Sequence, residues 1–321
     1  MDKNINKESW INVLMATLLG IFLIYVYRSL SSLVYAFQVF PFLVLYINEG
    51  WKKTTLSLVI TFVAGIFLVD YISLAFMALY VTLITFYAGN AIKNRIKLSE
   101  IILNSAFISL ALTLIAFGVS YYITRINPFE EVGKILSQSI DEMINTMKNG
   151  IDFTKADIEV FERVFREAAN KAVTIIPAII FVGRYLMVAL NILIGLSILN
   201  KTRDDINYAT KLNGYMPGNN LKMATLFTLA IALVMYLINY EYLNLFISNM
   251  AMAIGFFYFL DGFFVADFMY EKQGRKIARI LIPIVLILIF QGYLVYVFIG
   301  LLDVIFNFRR RILTNGAKKD Q

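Results

Sequence analysis

Residues 173–199 read VTIIPAIIFVGRYLMVALNILIGLSIL, and the fold class turns on this stretch. It holds one charge, Arg184, and one early proline, Pro177. About 20 consecutive apolar residues are what a helix needs to cross roughly 30 Å of hydrocarbon. A core helix of a soluble domain keeps a polar face for water and does not run so far without charges. Working outward, the pattern recurs at 11–27, 30–47, 54–69, 71–91, 101–123, 223–240, 242–268 and 280–308. Hydrophobic residues make up 60% of the chain and charged residues 16%. Soluble domains sit nearer half and a quarter. The chain therefore reads as an all-α polytopic integral membrane helix bundle with about eight to ten transmembrane segments, since helices satisfy their own backbone groups in lipid.

The blocks are tightly joined. Arg28-Ser29 separates the first two, and Asp70 alone separates 54–69 from 71–91. Basic loops belong on the cytoplasmic side of a cell membrane. With a cytoplasmic amino terminus, five basic groups fall on that side through eight spans: Lys3 and Lys7; Lys52-Lys53; Lys93, Arg95 and Lys97; Lys201, Arg203 and Lys211; and Lys272, Arg275, Lys276 and Arg279. The block at 280–308 breaks the pattern, because one crossing would place Arg309-Arg310-Arg311 outside. As one helix it would also run roughly 43 Å. Gln291-Gly292 near its middle favours a bent or re-entrant segment, with a single tilted helix as the alternative. The first block lacks a small-residue cleavage site, so it is expected to be a retained span rather than a signal peptide.

These blocks divide the chain into amino-terminal transmembrane helices (1–123), an extracytoplasmic helical insertion (124–172), and carboxyl-terminal transmembrane helices with a basic tail (173–321). Within the insertion, Asn127-Pro128 with Glu130 gives an N-cap, a first-position proline and an acid in the first turn. Ile135, Leu136, Ile140, Met143, Ile144 and Met147 follow at helical spacing, and Asn149-Gly150 ends that helix. Thr154 and Asp157 form a capping-box pattern for a second helix, striped by Ile158, Phe161, Val164, Phe165 and Ala168. This amphipathic hairpin is expected to close on itself, to lie on the outer membrane face, or to cover an outward pocket.

Composition excludes much chemistry. There is no cysteine and no histidine, so thiolate sites, HExxH zinc motifs and Ser-His or Cys-His nucleophile pairs are absent. No Gly-rich phosphate loop is present either. No catalytic residue, metal site or cofactor is assigned. The net charge of +7 does not imply a nucleic-acid partner: residues 124–172 carry seven Lys/Arg against nine Asp/Glu, and the excess positive charge elsewhere sits at the ends of apolar blocks.

Polar groups within apolar spans are costly, and each is a functional candidate. Arg184 needs an acidic partner, carbonyls, water or an anionic ligand. Asn191, seven residues on, shares nearly the same face, and Asp261 lies in FLDGFFVADF. These three are the ligand-binding candidates, and Arg184 points to a small anionic or zwitterionic molecule. Asp267, Asp303 and Asp70 are candidates for coupling or pairing carboxylates. Amides at Gln38, Asn104, Asn239, Asn249 and Gln291 suit bonds between helices. Ala16/Gly20 and Ser32/Ala36 are small-residue pairs suited to close helix packing or to docking a membrane partner subunit.

The order of spans, the polar insertion, IIPAIIFVGRYLMVALNIL and the closing GLLDVIFNFRRR together resemble the YybS-like family of bacterial polytopic membrane proteins. The span arrangement is distantly similar to the membrane-embedded substrate-binding components of vitamin-type importers. That likeness implies a small ligand taken from outside, no catalysis, and docking on a shared energising module through a face such as Ala16/Gly20. Two functional readings stand: a small-molecule-binding or transport component with a polar intramembrane pocket, and a non-transporting scaffold or regulatory protein acting through helix faces and the outer hairpin.

Overall fold

A computed structural model describes residues 2–149, 154–203, 218–274 and 292–309, together with 277, 281, 282 and 285. Among the described residues the chain is helical, with no strand. The helices are α1 (Asp2–Val34), α2 (Phe40–Glu49), α3 (Trp51–Gly65), α4 (Tyr71–Lys93), α5 (Leu98–Thr124), α6 (Pro128–Asn149), α7 (Lys155–Thr174), α8 (Ile176–Thr202), α9 (Gly218–Leu237), α10 (Leu243–Lys272) and α11 (Tyr293–Phe306). Among the described residues six stretches are long and apolar enough to cross a membrane: Lys7–Ser29, α4, α5, α8, Asn220–Leu237 and α10. Their outward side chains are large and apolar, for example Leu14, Leu18 and Phe22 on α1 and Leu226, Leu229 and Leu233 on α9. A polytopic bundle meets lipid with such a surface, where a soluble protein would meet water.

The second apolar block departs from expectation. The turn expected at Arg28-Ser29 lies inside α1, and the helix instead breaks at residues 35–39. Pro41 explains the break. It lacks an N–H, and its ring clashes with the carbonyl four residues earlier, so a helix cannot pass through Phe37 unkinked. What remains of the block is α2, about 15 Å long. Gly50 alone then joins α2 to α3, at φ +83°, a conformation that costs other residues energy. Further along, Asp70 caps α4 by accepting the Ser73 N–H at 2.8 Å, and this bond holds its carboxyl below the usual aspartate range. The bend expected at Gln291-Gly292 falls mostly outside the described residues. Gly292 caps α11, while Gln291 lies outside the described residues.

The chain forms two compact units, Met1–Val119 with Phe181–Thr210 and Ser120–Ile180 with Lys211–Gln321. In the first, Ala16 packs with Val13 and Leu45, and Gly20 is backed by the Phe42 ring and the Thr61 methyl. Ala36 is buried in the irregular turn after α1, and the side chain of Ser32 lies outside the described residues. Glu49 accepts from Ser9, Asn12 and Lys53; Lys93 sits 4.5 Å over the Tyr46 ring; and Arg203 donates to the Ile47 carbonyl at 2.9 Å. These contacts gather the start of α1, the α2–α3 joint and the ends of α4 and α8 at one end of the unit. Four of the basic groups picked out by charge share that end.

In the second unit α6 and α7 form the amphipathic hairpin. Asn127 accepts the Phe129 N–H at 3.0 Å, and the Thr154/Asp157 capping box is complete. Donation from Thr154 holds the Asp157 carboxyl below its usual range. Ile140, Ile144 and Ile158 cluster between the helices, with Met147 and Ala169 against them, while Ile135, Phe161, Val164 and Phe165 stay exposed, so the two stripes cover each other only in part. Arg166 bridges Asp141 and Glu162 on the exposed side, where ion pairs add little.

Candidate functional site

Two kinds of polar site stand out inside the bundle: asparagine clamps over helix breaks, and a buried ionic cluster. The first clamp is Asn191 on α8, fully buried. Its side-chain oxygen accepts the N–H groups of Val39 and Phe40 at 2.8 and 3.1 Å. Its amide nitrogen donates to the carbonyls of Tyr35 and Met187 at 2.8 and 2.9 Å. Pro41 breaks the helix and frees these backbone groups, and non-helical backbone at membrane depth persists only where such groups are satisfied. All four bonding positions of the Asn191 amide are thus spent on backbone.

Asn249 on α10 does the same for the break between α7 and α8. There Ile175 leaves helical geometry just ahead of Pro177. Asn249 accepts the Ala178 N–H and donates to the Thr174 carbonyl, both at 2.9 Å. In each case a proline opens the helix and an amide from another span closes the polar gap. Bonds between spans average about 0.6 kcal/mol, so Asn191→Leu is expected to cost about 2 kcal/mol. Asn104→Leu, which loses only a bond to the Tyr87 hydroxyl, should cost far less. Thermal unfolding in detergent compares the two. Equal losses would refute the clamp.

Arg184 lies one side of the Asn191 clamp. It is half-buried, with its guanidinium 5.2 Å from the Tyr35 ring in a cation–π contact. Tyr35 in turn packs edge-on against Tyr27 and Tyr80. Among the described residues no carboxylate pairs with Arg184. The same break carries Gln38, whose amide nitrogen donates to the Met77 sulfur while its oxygen, fully buried, has no partner. It borders a small cavity shared with Gly20, Phe42, Thr61 and Met77, and the Thr61 hydroxyl there is likewise unpartnered. The space suits about one water molecule. Arg184 and Asn191 belong to the first unit and Asp261 to the second.

Asp261 sits in a separate cluster with Arg309 and Asp303. Arg309 is 1% exposed, Asp261 0% and Asp303 6%. The guanidinium donates through Nη2 to Asp261 and through Nε to Asp303 at 2.9 Å. The Arg309 N–H also reaches Asp303 at 3.1 Å. This geometry depends on Asn307, which ends α11 in the left-handed conformation (φ 53°) and turns the chain back on its last helical turn. The cluster lies where α10 and α11 cross at backbone contact. A Cβ on Gly262 would overlap the Tyr296 carbonyl, and one on Gly300 the Tyr258 carbonyl.

Asp267 is half-buried on α10, and Asp70 is the exposed cap of α4. Sequence reading treated Arg309 as part of a basic tail and missed its burial. The spacing Asp303, Asn307, Arg309 was the available signal, because an asparagine that ends a helix can return the next residues to its last turn. Pro41 was the overlooked signal for the first break.

No curated protein and no solved structure matches the chain. One family does. Residues 15–304, nearly the whole length, match the family described as "Predicted membrane protein (DUF2232)", and the chain belongs to it.

Proposed function

We propose that this multi-pass membrane protein is a small-molecule-binding or transport component whose ligand is met at the broken helix of the first unit, with Arg184 as its anionic-group contact. The observation carrying the reading is a half-buried guanidinium, flanked by tyrosines, with no carboxylate answering it among the described residues. Helices interrupted at membrane depth are where transporters place their binding sites, since the break exposes directed backbone groups. Asn191 supports the site by holding the break open, and its own amide is spent on that task. The ligand class is a small anionic or zwitterionic molecule. On this reading the chain sits in the cytoplasmic membrane with its amino terminus inside and 124–172 outside. It groups with YybS-like proteins and, more distantly, with importer substrate-binding components.

The scaffold reading draws its support from the Asp261–Arg309–Asp303 cluster, in which charges answer each other. Arg184 has no such answer, and this favours the binding reading. Purification in mild detergent with mass spectrometry for bound small molecules should yield an anionic species. Arg184→Ala should weaken its binding at least tenfold, or about 1.4 kcal/mol, with the unfolding temperature of the unliganded protein little changed. Retained binding in Arg184→Ala would overturn the proposal.

A further inference from the structure

The ionic cluster in the second unit is not balanced. Among the described residues it brings two carboxylates, Asp261 and Asp303, to one guanidinium. Asp303 is well met: one oxygen takes the Arg309 N–H and the other takes Nε. Asp261 receives Nη2 on Oδ1 alone. Its Oδ2 is fully buried and has no hydrogen-bond partner.

Among the described residues the surroundings offer no other counter-charge. From α11 comes Tyr296, whose ring packs against Phe259 and Phe263. From α9 comes Thr225, already bonded to the Tyr258 hydroxyl, while the one charged residue described on that helix, Lys222, is exposed. From α7 the nearest link is the Thr174 carbonyl at Asn249, three turns of α10 from Asp261, and Lys171 beyond it is exposed. An ionised carboxylate oxygen left in apolar surroundings without hydrogen bonds is so costly that the group neutralises. A metal ion would need several oxygen ligands. Among the described residues no group of three metal-ligating side chains exists, and the guanidinium would repel a cation.

We propose that Asp261 is a proton-binding site, with one proton carried on its Oδ2 and the Asp303–Arg309 pair ionised beside it. Uptake transfers a proton from hydronium to the Asp261 carboxylate, breaking one O–H bond and forming another, releasing water and taking the cluster from a charge of −1 to zero. Gly262 and Gly300 keep the site dry by bringing the two backbones together. Loss of the proton would leave an unbalanced charge at this close crossing, so protonation is coupled to how α10 and α11 pack.

The test is infrared difference spectroscopy on the full chain in lipid nanodiscs, and it is independent of any transported ligand. At neutral pH the wild type should show the carbonyl stretch of a neutral carboxylic acid, shifting in D2O. Asp261→Asn should lose that band. Asp303→Asn should lose it too, because Asp261 must then ionise to answer Arg309. Exchanging sodium for potassium or choline should leave the wild-type band in place. Absence of the acid band in the wild type, its persistence in Asp261→Asn, or its removal by sodium or potassium at fixed pH would each overturn the proposal. Should Asp261→Asn fail to fold, the D2O shift and salt series on the wild type decide.

Discussion

Arg309→Met is expected to be among the most damaging single changes in this protein. Removing one partner from a buried ion pair typically costs about 3–5 kcal/mol, because the charge left behind has neither water nor a counter-ion. Here the substitution strips the guanidinium from two carboxylates at once, one of them wholly buried. The N–H at position 309 still reaches Asp303, so the turn at Asn307 can persist while the charge balance fails. A fall in unfolding temperature of roughly 10 °C in detergent is the expected reading, given about 2–4 °C per kcal/mol for domains of about 150–250 residues. The triple variant Asp261→Leu, Asp303→Leu, Arg309→Met should recover most of the loss, since buried pairs can be replaced by apolar groups of similar volume. An Arg309→Met protein as stable as the wild type would show that the cluster contributes nothing.

Gly262→Ala should be comparably severe for a steric reason. The added methyl falls on the Tyr296 carbonyl, and Gly300→Ala places one on the Tyr258 carbonyl. Backbone atoms cannot swing aside as a side-chain tip can, so the two helices must separate. Overpacking of this kind costs about 1–3 kcal/mol in ordinary cores and more where backbone is the obstacle. Separation also pulls Asp261 away from Arg309, so a loss of about 3 kcal/mol or more is expected. Gly255→Ala, on the same helix with open space at its Cβ, is the control and should be neutral or slightly stabilising. Similar behaviour of Gly262→Ala and Gly255→Ala, read by thermal unfolding and by yield from the membrane, would refute the close crossing.

Local features were open to one-dimensional reading because their causes are local. Apolar runs longer than a bilayer is thick have few alternatives to spanning it, and α4, α5, α8 and α10 lie close to the blocks that hydropathy marks. The α6–α7 hairpin was legible from Asn127-Pro128 and Thr154/Asp157, since caps act within four residues. Arg184 could be marked as costly from its neighbours alone. What answers it could not, because a partner for a buried charge is chosen by three-dimensional approach.

The sequence by itself therefore determined the class of the molecule, a helical membrane bundle with a polar hairpin, along with the helix caps and the chemistry excluded by lacking cysteine and histidine. Only the tertiary structure decided that the second apolar block is broken at 35–39, that Asn191 and Asn249 are clamps over proline breaks, and that Arg309 is sealed between two aspartates. The physical reason is range. Hydropathy and capping are settled by residues a turn apart, whereas a buried polar group is satisfied by whatever the fold brings to it, 152 positions away for Asn191 and Val39 and 48 for Arg309 and Asp261.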